Sequence, residues 1–322
     1  MWQMRSLAAL LLAALGAAVL ASCANDTQPS LEPGQLRIAT GLTGGVYRVY
    51  GRALATALDE DLRPMRATAL QTAGSVENLN ALDSNRADVA FTLADTASAA
   101  IRGTRPSFTR SLKLQALARL YDDYVQIIVR ADSDLREMRD LAGRSISIGA
   151  RGSGTALVAR RILGLPAVGL DGGRAVRMRS LELEQATATL AARRIDAFVW
   201  SGGLPTDAIV ALRKKIAIRL LGLPADTAER LDPDLYTQAT VPATVYGRAG
   251  AVSTIIASNL LVVRPDMPDE VAYRITRALF EHKRELVAAH EQARRLNLRD
   301  APATFPLGLH PGAKRWYREA NR

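Results

Sequence analysis

The feature that most constrains the fold of this chain is one unit that occurs twice along the sequence. In the first copy, residues 36–41 alternate side chains like a strand and end in a glycine. Residues 145–149 do the same, and in both copies a glycine-rich loop, a helix, a strand, a second helix and a third strand follow. Three pairs of residues share a spacing of 108: Gly41 with Gly149, Gly44 with Gly152, and Asp88 with Asp196. The repeat predicts two lobes of the same construction.

Strands that alternate with helices predict an α/β fold, with parallel sheets and right-handed crossover connections. In such sheets, ligands bind beyond the carboxyl ends of the strands, where the loops lead into helix N-termini. We therefore predict that the two lobes face each other with their glycine-rich loops and enclose a ligand cleft.

Two apolar strand patterns are placed to connect the lobes. Residues 115–120 would close lobe I, residues 124–130 would cross into lobe II, and residues 252–263 would cross back. A long helix that begins near Pro268 would then pack on lobe I, because its apolar side chains recur along one face. Lobe I would thus comprise residues 36–124 and 251–322, and lobe II residues 125–250.

The N-terminus has the pattern of an export signal. Arg5 precedes residues 7–20, which contain nothing more polar than glycine, and the run is shorter than the ~20 residues that cross a bilayer. Residues 20–23 (Leu-Ala-Ser-Cys) resemble a bacterial lipobox, and Cys23 is the only cysteine, so it has no internal disulfide partner. We predict a lipoprotein signal peptide at residues 1–22, a lipid on Cys23 and a flexible linker at residues 23–35.

Such a chain would be lipid-anchored in the cell envelope, on the periplasmic or extracytoplasmic face of the membrane. The alternative is an ordinary signal peptide with an incidental cysteine.

Composition argues against two broad functions. The net charge is +10, but aromatic residues make up 5% of the chain and are scattered, so we predict no nucleic-acid partner. The three histidines (His282, His290 and His310) lie far along the chain from both glycine-rich loops, and no Gly-x-Ser-x-Gly elbow occurs. We therefore predict a binding protein and not an enzyme, with no metal and no cofactor.

The two glycine-rich loops have the chemistry of an anion site. A glycine-rich turn at a helix start presents unpaired N–H groups and the positive end of the helix dipole, which favour a carboxylate or phosphate. The expected ligand is a small organic anion. The predicted site residues are Thr43, Gly44, Gly45 and Tyr47 in lobe I, Ser153, Gly154 and Thr155 in lobe II, Ser75 and Asn78 as the side wall, and Trp200 as a stacking or shape-setting contact.

Two alternatives stay open at these loops. The hydroxyls of Ser75, Ser153 and Thr155 would also suit simple helix N-caps. Arg151 would either pair with a ligand carboxylate through two hydrogen bonds or point into solvent.

Five motifs in order resemble the TAXI family, the solute receptors of one branch of TRAP transporters. They are residues 40–47, residues 74–79, residues 149–155, residues 195–198 with 202–205, and residues 309–313 with Tyr317 and Glu319. The resemblance implies a two-lobed periplasmic-binding-protein fold of the second type that closes over its ligand. It also implies delivery to a TRAP permease driven by an ion gradient, with glutamate, glutamine or a small dicarboxylate as the ligand.

The chain departs from the family pattern in ways that bear on the ligand. Phe91 and Leu93 stand near a position where many members carry a polar residue, and Trp200 is bulky for its place before the Gly-Gly-Leu-Pro turn. These residues would narrow or dry the cleft. A receptor of the same fold that signals to a membrane sensor is the alternative function, and an enzyme descended from the fold would need a catalytic cluster in the cleft.

Overall fold

The computed structural model describes residues 34–168, 175–247 and 250–321. The strands are β1 (Gln35–Ala39), β2 (Arg66–Leu70), β3 (Val89–Leu93), β4 (Gln115–Arg130), β5 (Ser145–Ser147), β6 (Arg177–Arg179), β7 (Ala197–Gly202), β8 (Ile218–Leu220), β9 (Tyr236–Val241) and β10 (Val252–Val263). The α-helices are α1 (Val46–Asp61), α2 (Ser75–Asp83), α3 (Ala94–Arg102), α4 (Gly154–Leu163), α5 (Leu183–Ala191), α6 (Asp207–Lys215), α7 (Thr227–Leu231), α8 (Asp269–Glu281), α9 (Lys283–Ala289) and α10 (Pro311–Ala320). None of these helices is both long enough and apolar enough to span a bilayer.

The strands form one sheet that runs through both lobes. Its order is β2-β1-β3-β10-β4-β7-β5-β6, while β8 pairs with β4 and β9 with β10. The first three strands are parallel to one another, and so are β5, β6 and β7. Between these two groups, β10 and β4 pair in antiparallel fashion with each other and with β3 and β7. The predicted α/β fold is confirmed.

The repeat extends to the pairing register of the strands. Ile38 lies opposite Val89 in lobe I, and Ile146 lies opposite Ala197 in lobe II, so the register is the same after the 108-residue offset. Helices α2 and α5 correspond residue for residue under that offset. Each is followed by a non-glycine residue with positive φ, Asn85 at 54° in lobe I and Arg193 at 57° in lobe II. The two copies therefore share backbone geometry as well as topology.

An aspartate at the same place in each copy, Asp88 and Asp196, joins the first and third strands of its lobe. The Asp88 carboxylate accepts a hydrogen bond of 2.8 Å from the Arg37 N–H, and the Asp196 carboxylate accepts one of 2.7 Å from the Ser145 N–H. Asp88 also pairs with the Arg37 guanidinium at 3.0 Å. The repeated aspartate thus fixes the start of the third strand against the first.

The connection between the lobes differs from the sequence prediction in one respect. Residues 115–120 and 124–130 were expected to be separate segments, but they form the single strand β4, which pairs first with β10 and then with β7. Asp122 and Asp123 interrupt the apolar pattern at its centre, which makes one strand look like two. β4 nevertheless pairs with β10 along both parts, and the pairing register shifts next to Ser258 and next to Leu261.

The C-terminal helices cover one face of lobe I. The predicted long helix from Pro268 is instead two helices, because α8 ends at Glu281 and α9 begins after His282. The His282 ring lies 3.1 Å from the Asp61 carboxylate at the end of α1, which holds the break in place. On the inner side of these helices, the fully buried side chains of Ile275, Leu279 and Leu286 lie in one apolar cluster with Leu54 and Leu58 of α1.

Candidate functional site

Three helices begin around one cavity between the lobes. Their first turns follow Gly45 (α1), Gly74 (α2) and Ser153 (α4), because the loops after β1, β2 and β5 leave the same edge of the sheet. The cavity has a volume of about 80 Å³. It is lined by Gly41, Leu42, Gly45, Val46, Tyr47, Ala73, Gly74, Ser75, Leu93, Tyr121, Asp123, Ser153, Gly154, Thr155, Trp200, Ser201 and Gly202.

The glycine-rich loop of lobe II touches the start of α2 in lobe I at the rim of this cavity. The Glu77 N–H donates a hydrogen bond of 3.0 Å to the Gly152 carbonyl. A Cβ on Gly154 would lie 2.7 Å from both Leu93 Cδ1 and Ser75 Oγ, which is closer than van der Waals contact allows. The approach of the lobes therefore depends on the missing side chain at this position.

A buried hydrogen-bonded group adds a second contact between the lobes. The Tyr236 hydroxyl donates to the Asp95 carboxylate at 2.6 Å and accepts from the Arg161 guanidinium at 3.2 Å. Burial raises the pKa of Asp95, and the hydrogen bond from Tyr236 partly offsets that rise. Because Asp95 lies in α3 and Arg161 in α4, the group ties the two repeats together below the cavity.

Most of the predicted site residues line the cavity. They are Gly45, Tyr47, Ser75, Ser153, Gly154, Thr155 and Trp200. Thr43 and Gly44 are exposed and lie outside the lining. Gly44 has a φ of +80°, which favours glycine in this turn. A Cβ there would lie 2.5 Å from the Glu184 carboxylate, so the missing side chain also allows the close contact with lobe II. Arg151 is exposed, which matches the solvated alternative.

Asn78 lies behind the cavity and not in its wall, contrary to the sequence prediction. Its fully buried amide donates hydrogen bonds to the carbonyls of Thr40 at 2.6 Å and Phe91 at 2.7 Å, and it accepts one from Thr72. These bonds join the end of β1 and the middle of β3 to α2. The side chain holds the loops in place, and its polar atoms are already used.

The side-chain hydroxyls of the predicted site residues differ in the number and length of the hydrogen bonds that they make within the protein. Ser153 is an N-cap: its Oγ accepts from the Ala156 N–H at 3.1 Å and donates to the Ala150 carbonyl at 2.8 Å. Ser75 Oγ accepts from the Leu93 N–H at 3.2 Å, while Thr155 Oγ1 accepts a long bond of 3.4 Å from the Ser201 N–H. The simple capping interpretation therefore holds for Ser153, and Thr155 has the most capacity to bond a ligand.

Of the three aromatic residues that line the cavity, Tyr47 and Trp200 have hydrogen bonds that fix their rings. Tyr47 packs on Phe91 with ring centroids 5.2 Å apart, and its hydroxyl donates to the Asn259 side chain. Burial and the charge of Asp123 raise the pKa of Tyr47 well above its ordinary value, so it stays protonated. Trp200 donates from its ring N–H to Thr206 at 3.2 Å. Both rings are thus held in fixed orientations.

The functional group that sequence reasoning missed is the Asp123 carboxyl at the centre of β4. It lines the cavity although its side chain is almost fully buried. Burial raises the pKa of this carboxyl from 3.8 to about 7; the Asn259 amide lowers it in part, and the charge of Asp122 raises it further. The sequence did contain a signal for it, because two aspartates interrupt an otherwise apolar strand. Burying a carboxylate costs free energy, so an aspartate at such a position indicates a functional role.

A second and larger cavity, of about 390 Å³, lies beside β4 but away from the glycine-rich loops. In its wall, Arg119 pairs with Asp122 at 2.9 Å. The Gln292 amide, also in its wall, donates to the Leu204 carbonyl at 3.1 Å. The first cavity, by contrast, contains a buried carboxylate oxygen with no hydrogen-bond partner among the described residues, Oδ1 of Asp123.

The described residues contain no group of three or more His, Cys, Asp or Glu side chains that could hold a metal ion. No histidine of the described residues lines the first cavity. His310 is fully buried and caps α10 through a hydrogen bond of 3.2 Å from the Gly312 N–H, and His282 contacts Asp61.

Comparison with known proteins supports this fold. A protein of Bordetella bronchiseptica RB50 matches with a TM-score of 0.55 and 17% sequence identity, over 90% of this chain and 98% of that one. A Xanthomonas citri protein bound to ATP matches with a TM-score of 0.52 and 13% identity, over 89% and 95% of the two chains. The periplasmic aliphatic sulphonate binding protein SsuA from Escherichia coli matches with a TM-score of 0.47 and 17% identity, over 89% and 84%.

At these identities the likeness shows the fold alone, and the predicted two-lobed α/β fold is confirmed. A family model described as the NMT1-like family matches residues 38–320. Because this match spans nearly the whole of the described chain, the protein belongs to the NMT1-like family.

Proposed function

We propose that this chain is an extracytoplasmic solute-binding receptor, not an enzyme, that captures a small polar ligand between its lobes and delivers it to a membrane permease. The observation that carries the proposal is the convergence of three helix N-termini, from both repeats, on one cavity. Since the lobes touch at the cavity rim, ligand entry requires them to separate. Hinge closure around a ligand is a common motion of such proteins.

The helix N-termini favour a ligand with a carboxylate. Gly45 and Gly74, the caps of α1 and α2, have no side chain to bond the first N–H groups of their helices. Although the Glu77 N–H of α2 already donates to the Gly152 carbonyl, the remaining first N–H groups and the positive ends of the helix dipoles would bind a negative group. The proposed ligand is therefore a small organic anion such as glutamate, glutamine or a dicarboxylate.

We further propose that the permease is of the TRAP type. The support is the resemblance of five motifs to the TAXI family, including the loops at residues 40–47 and 149–155 that flank the cavity. A TRAP permease gene beside the gene for this chain would agree with delivery to a transporter. A neighbouring sensor kinase gene in its place would contradict it and favour signalling.

The proposed lipid anchor depends on Cys23, which lies outside the described residues. Wild-type protein should partition into the detergent phase when bacterial envelopes are extracted, since the thiol would carry a diacylglyceryl group. The variant Cys23→Ala should remain uncleaved or lose the lipid. Equal recovery of both proteins in the aqueous phase would refute the proposed anchor and would not bear on the proposed ligand site.

The ligand site is tested by identifying what the protein binds. Small molecules released on denaturation of purified protein are identified by mass spectrometry, and their affinity for the refolded or ligand-stripped protein is measured by calorimetry. Loss of the Thr155 hydroxyl in Thr155→Ala should weaken binding roughly tenfold or more, because a hydrogen bond to a charged group contributes about 1.5–3 kcal/mol. The exposed control Lys314→Ala should bind like wild type. Wild-type affinity in both variants would place the site elsewhere.

A further inference from the structure

The Asp123 carboxylate is the least satisfied polar group of the cavity. Its side chain is almost fully buried, with a relative exposure of 6%. Its Oδ2 accepts a long hydrogen bond of 3.5 Å from the Ser201 hydroxyl, and its Oδ1 has no partner within the described parts of the chain. A buried carboxylate oxygen without a partner is costly, so a cavity that retains one is expected to receive a donor from the ligand.

No cationic side chain of the described chain lines the cavity to pair with Asp123. The groups that face it come from five elements and are neutral or acidic. They are Tyr47 of α1, Asp95 of α3, Tyr121 and Asp122 of β4, Ser201 of β7 and Asn259 of β10. Asp122 pairs with Arg119, and Asp95 accepts a hydrogen bond from Tyr236, so Asp123 is the carboxylate of the three that lacks a strong partner. A second carboxylate of a ligand would be repelled here, whereas a positive group would be attracted.

We propose that Asp123 accepts a hydrogen bond from a primary ammonium group of the ligand while a ligand carboxylate lies at the helix N-termini, so that the bound solute is a small amino acid zwitterion. The inference rests on the proposed receptor function and narrows its ligand class. Glutamate and glutamine meet the requirement, and a dicarboxylate without an amino group does not. Asp123 is thereby the specificity-determining residue of the cavity.

The experiment compares matched ligands and matched variants. Calorimetry at pH 8 is carried out on the full-length protein, stripped of ligand, with the standard L-amino acids and with the same acids lacking the amino group, for example L-glutamate against glutarate. Each is measured on wild type, on Asp123→Asn and on the control Asp122→Asn. The control makes the same chemical change one residue away, at a carboxylate that pairs with Arg119 and does not line the cavity.

At least one amino acid should bind wild type more tightly than its deaminated partner. Asp123→Asn should weaken that amino acid tenfold or more, because a charge-assisted hydrogen bond is lost, and should change the deaminated acid less than threefold. Asp122→Asn should leave the preference for the amino acid intact. Binding only by acids without an amino group, or an unchanged preference in Asp123→Asn, would overturn the inference and leave the receptor function standing. Binding by neither set would overturn both.

A second measurement uses wild type alone and does not depend on how the variants fold. Below the pKa of Asp123 the empty cavity holds a proton on the carboxyl, and an ammonium group must displace it. Calorimetry at pH 6 in buffers of different ionisation enthalpy should therefore show release of close to one proton per bound amino acid. Uptake of a proton would mean that a protonated Asp123 donates to the ligand, and would overturn the inference.

Discussion

Asp123 should make the empty protein less stable as the pH rises, and Asp123→Asn should abolish that loss. The pKa of the carboxyl is raised by burial from 3.8 in the unfolded chain to about 7 in the folded one. Below pH 4 both states hold the proton, so the residue does not affect folding. Between pH 4 and pH 7 the unfolded chain releases the proton while the folded chain keeps it, so the free energy of unfolding falls with pH. Above pH 7 the loss is complete.

The size of this effect follows from the rise in pKa. A rise of roughly 3 units at about 1.4 kcal/mol per unit corresponds to a loss of about 4 kcal/mol at pH 8. An asparagine has the same shape and no charge, so Asp123→Asn should be more stable than wild type at pH 8 and similar to it at pH 4. Urea denaturation of ligand-free protein at several pH values measures this difference. A constant difference between Asp123→Asn and wild type across that range would refute the claim that burial raises the pKa of this carboxyl.

Two further predictions concern the contacts between the lobes. Gly154→Ala should prevent full closure, because its methyl group would lie 2.7 Å from Leu93 Cδ1 and Ser75 Oγ; small-angle scattering with saturating ligand should show a larger radius of gyration than in wild type, and an equal radius would contradict this. Tyr236→Phe removes the donor to Asp95 and should lower the free energy of unfolding by about 1–3 kcal/mol in urea denaturation. A change within experimental error would mean that the hydroxyl contributes nothing to stability.

The fold could be predicted from the sequence because the same local pattern occurs twice. Apolar alternation at residues 36–41 and 145–149, each ending in a glycine, determined both the strand and the loop. The shared offset of Asp88 and Asp196 predicted matching positions, and the structure shows why: each carboxylate bonds the first strand of its lobe. Repetition allowed each copy to support the interpretation of the other.

The ligand site was less accessible from the sequence, for two physical reasons. A polar residue at a helix start can face the cavity or the scaffold, and the pattern does not distinguish them; Asn78 faces the scaffold and bonds Thr40 and Phe91. Asp123 and Asn259 lie on the strands that cross between the lobes, which occur outside the repeat. Whether these two residues lie next to the glycine-rich loops depends on how both lobes pack, and no local sequence motif predicts that packing.

The most direct test of the central claim is a crystal structure of the protein with its tightest amino acid ligand. The ligand should occupy the cavity between the lobes, with its carboxylate against the first N–H groups of α1, α2 or α4. Its ammonium nitrogen should lie within hydrogen-bond distance, about 2.7–2.9 Å, of Asp123 Oδ1. A ligand bound in the larger cavity beside Arg119 and Gln292, or one whose ammonium group points away from Asp123, would contradict the claim.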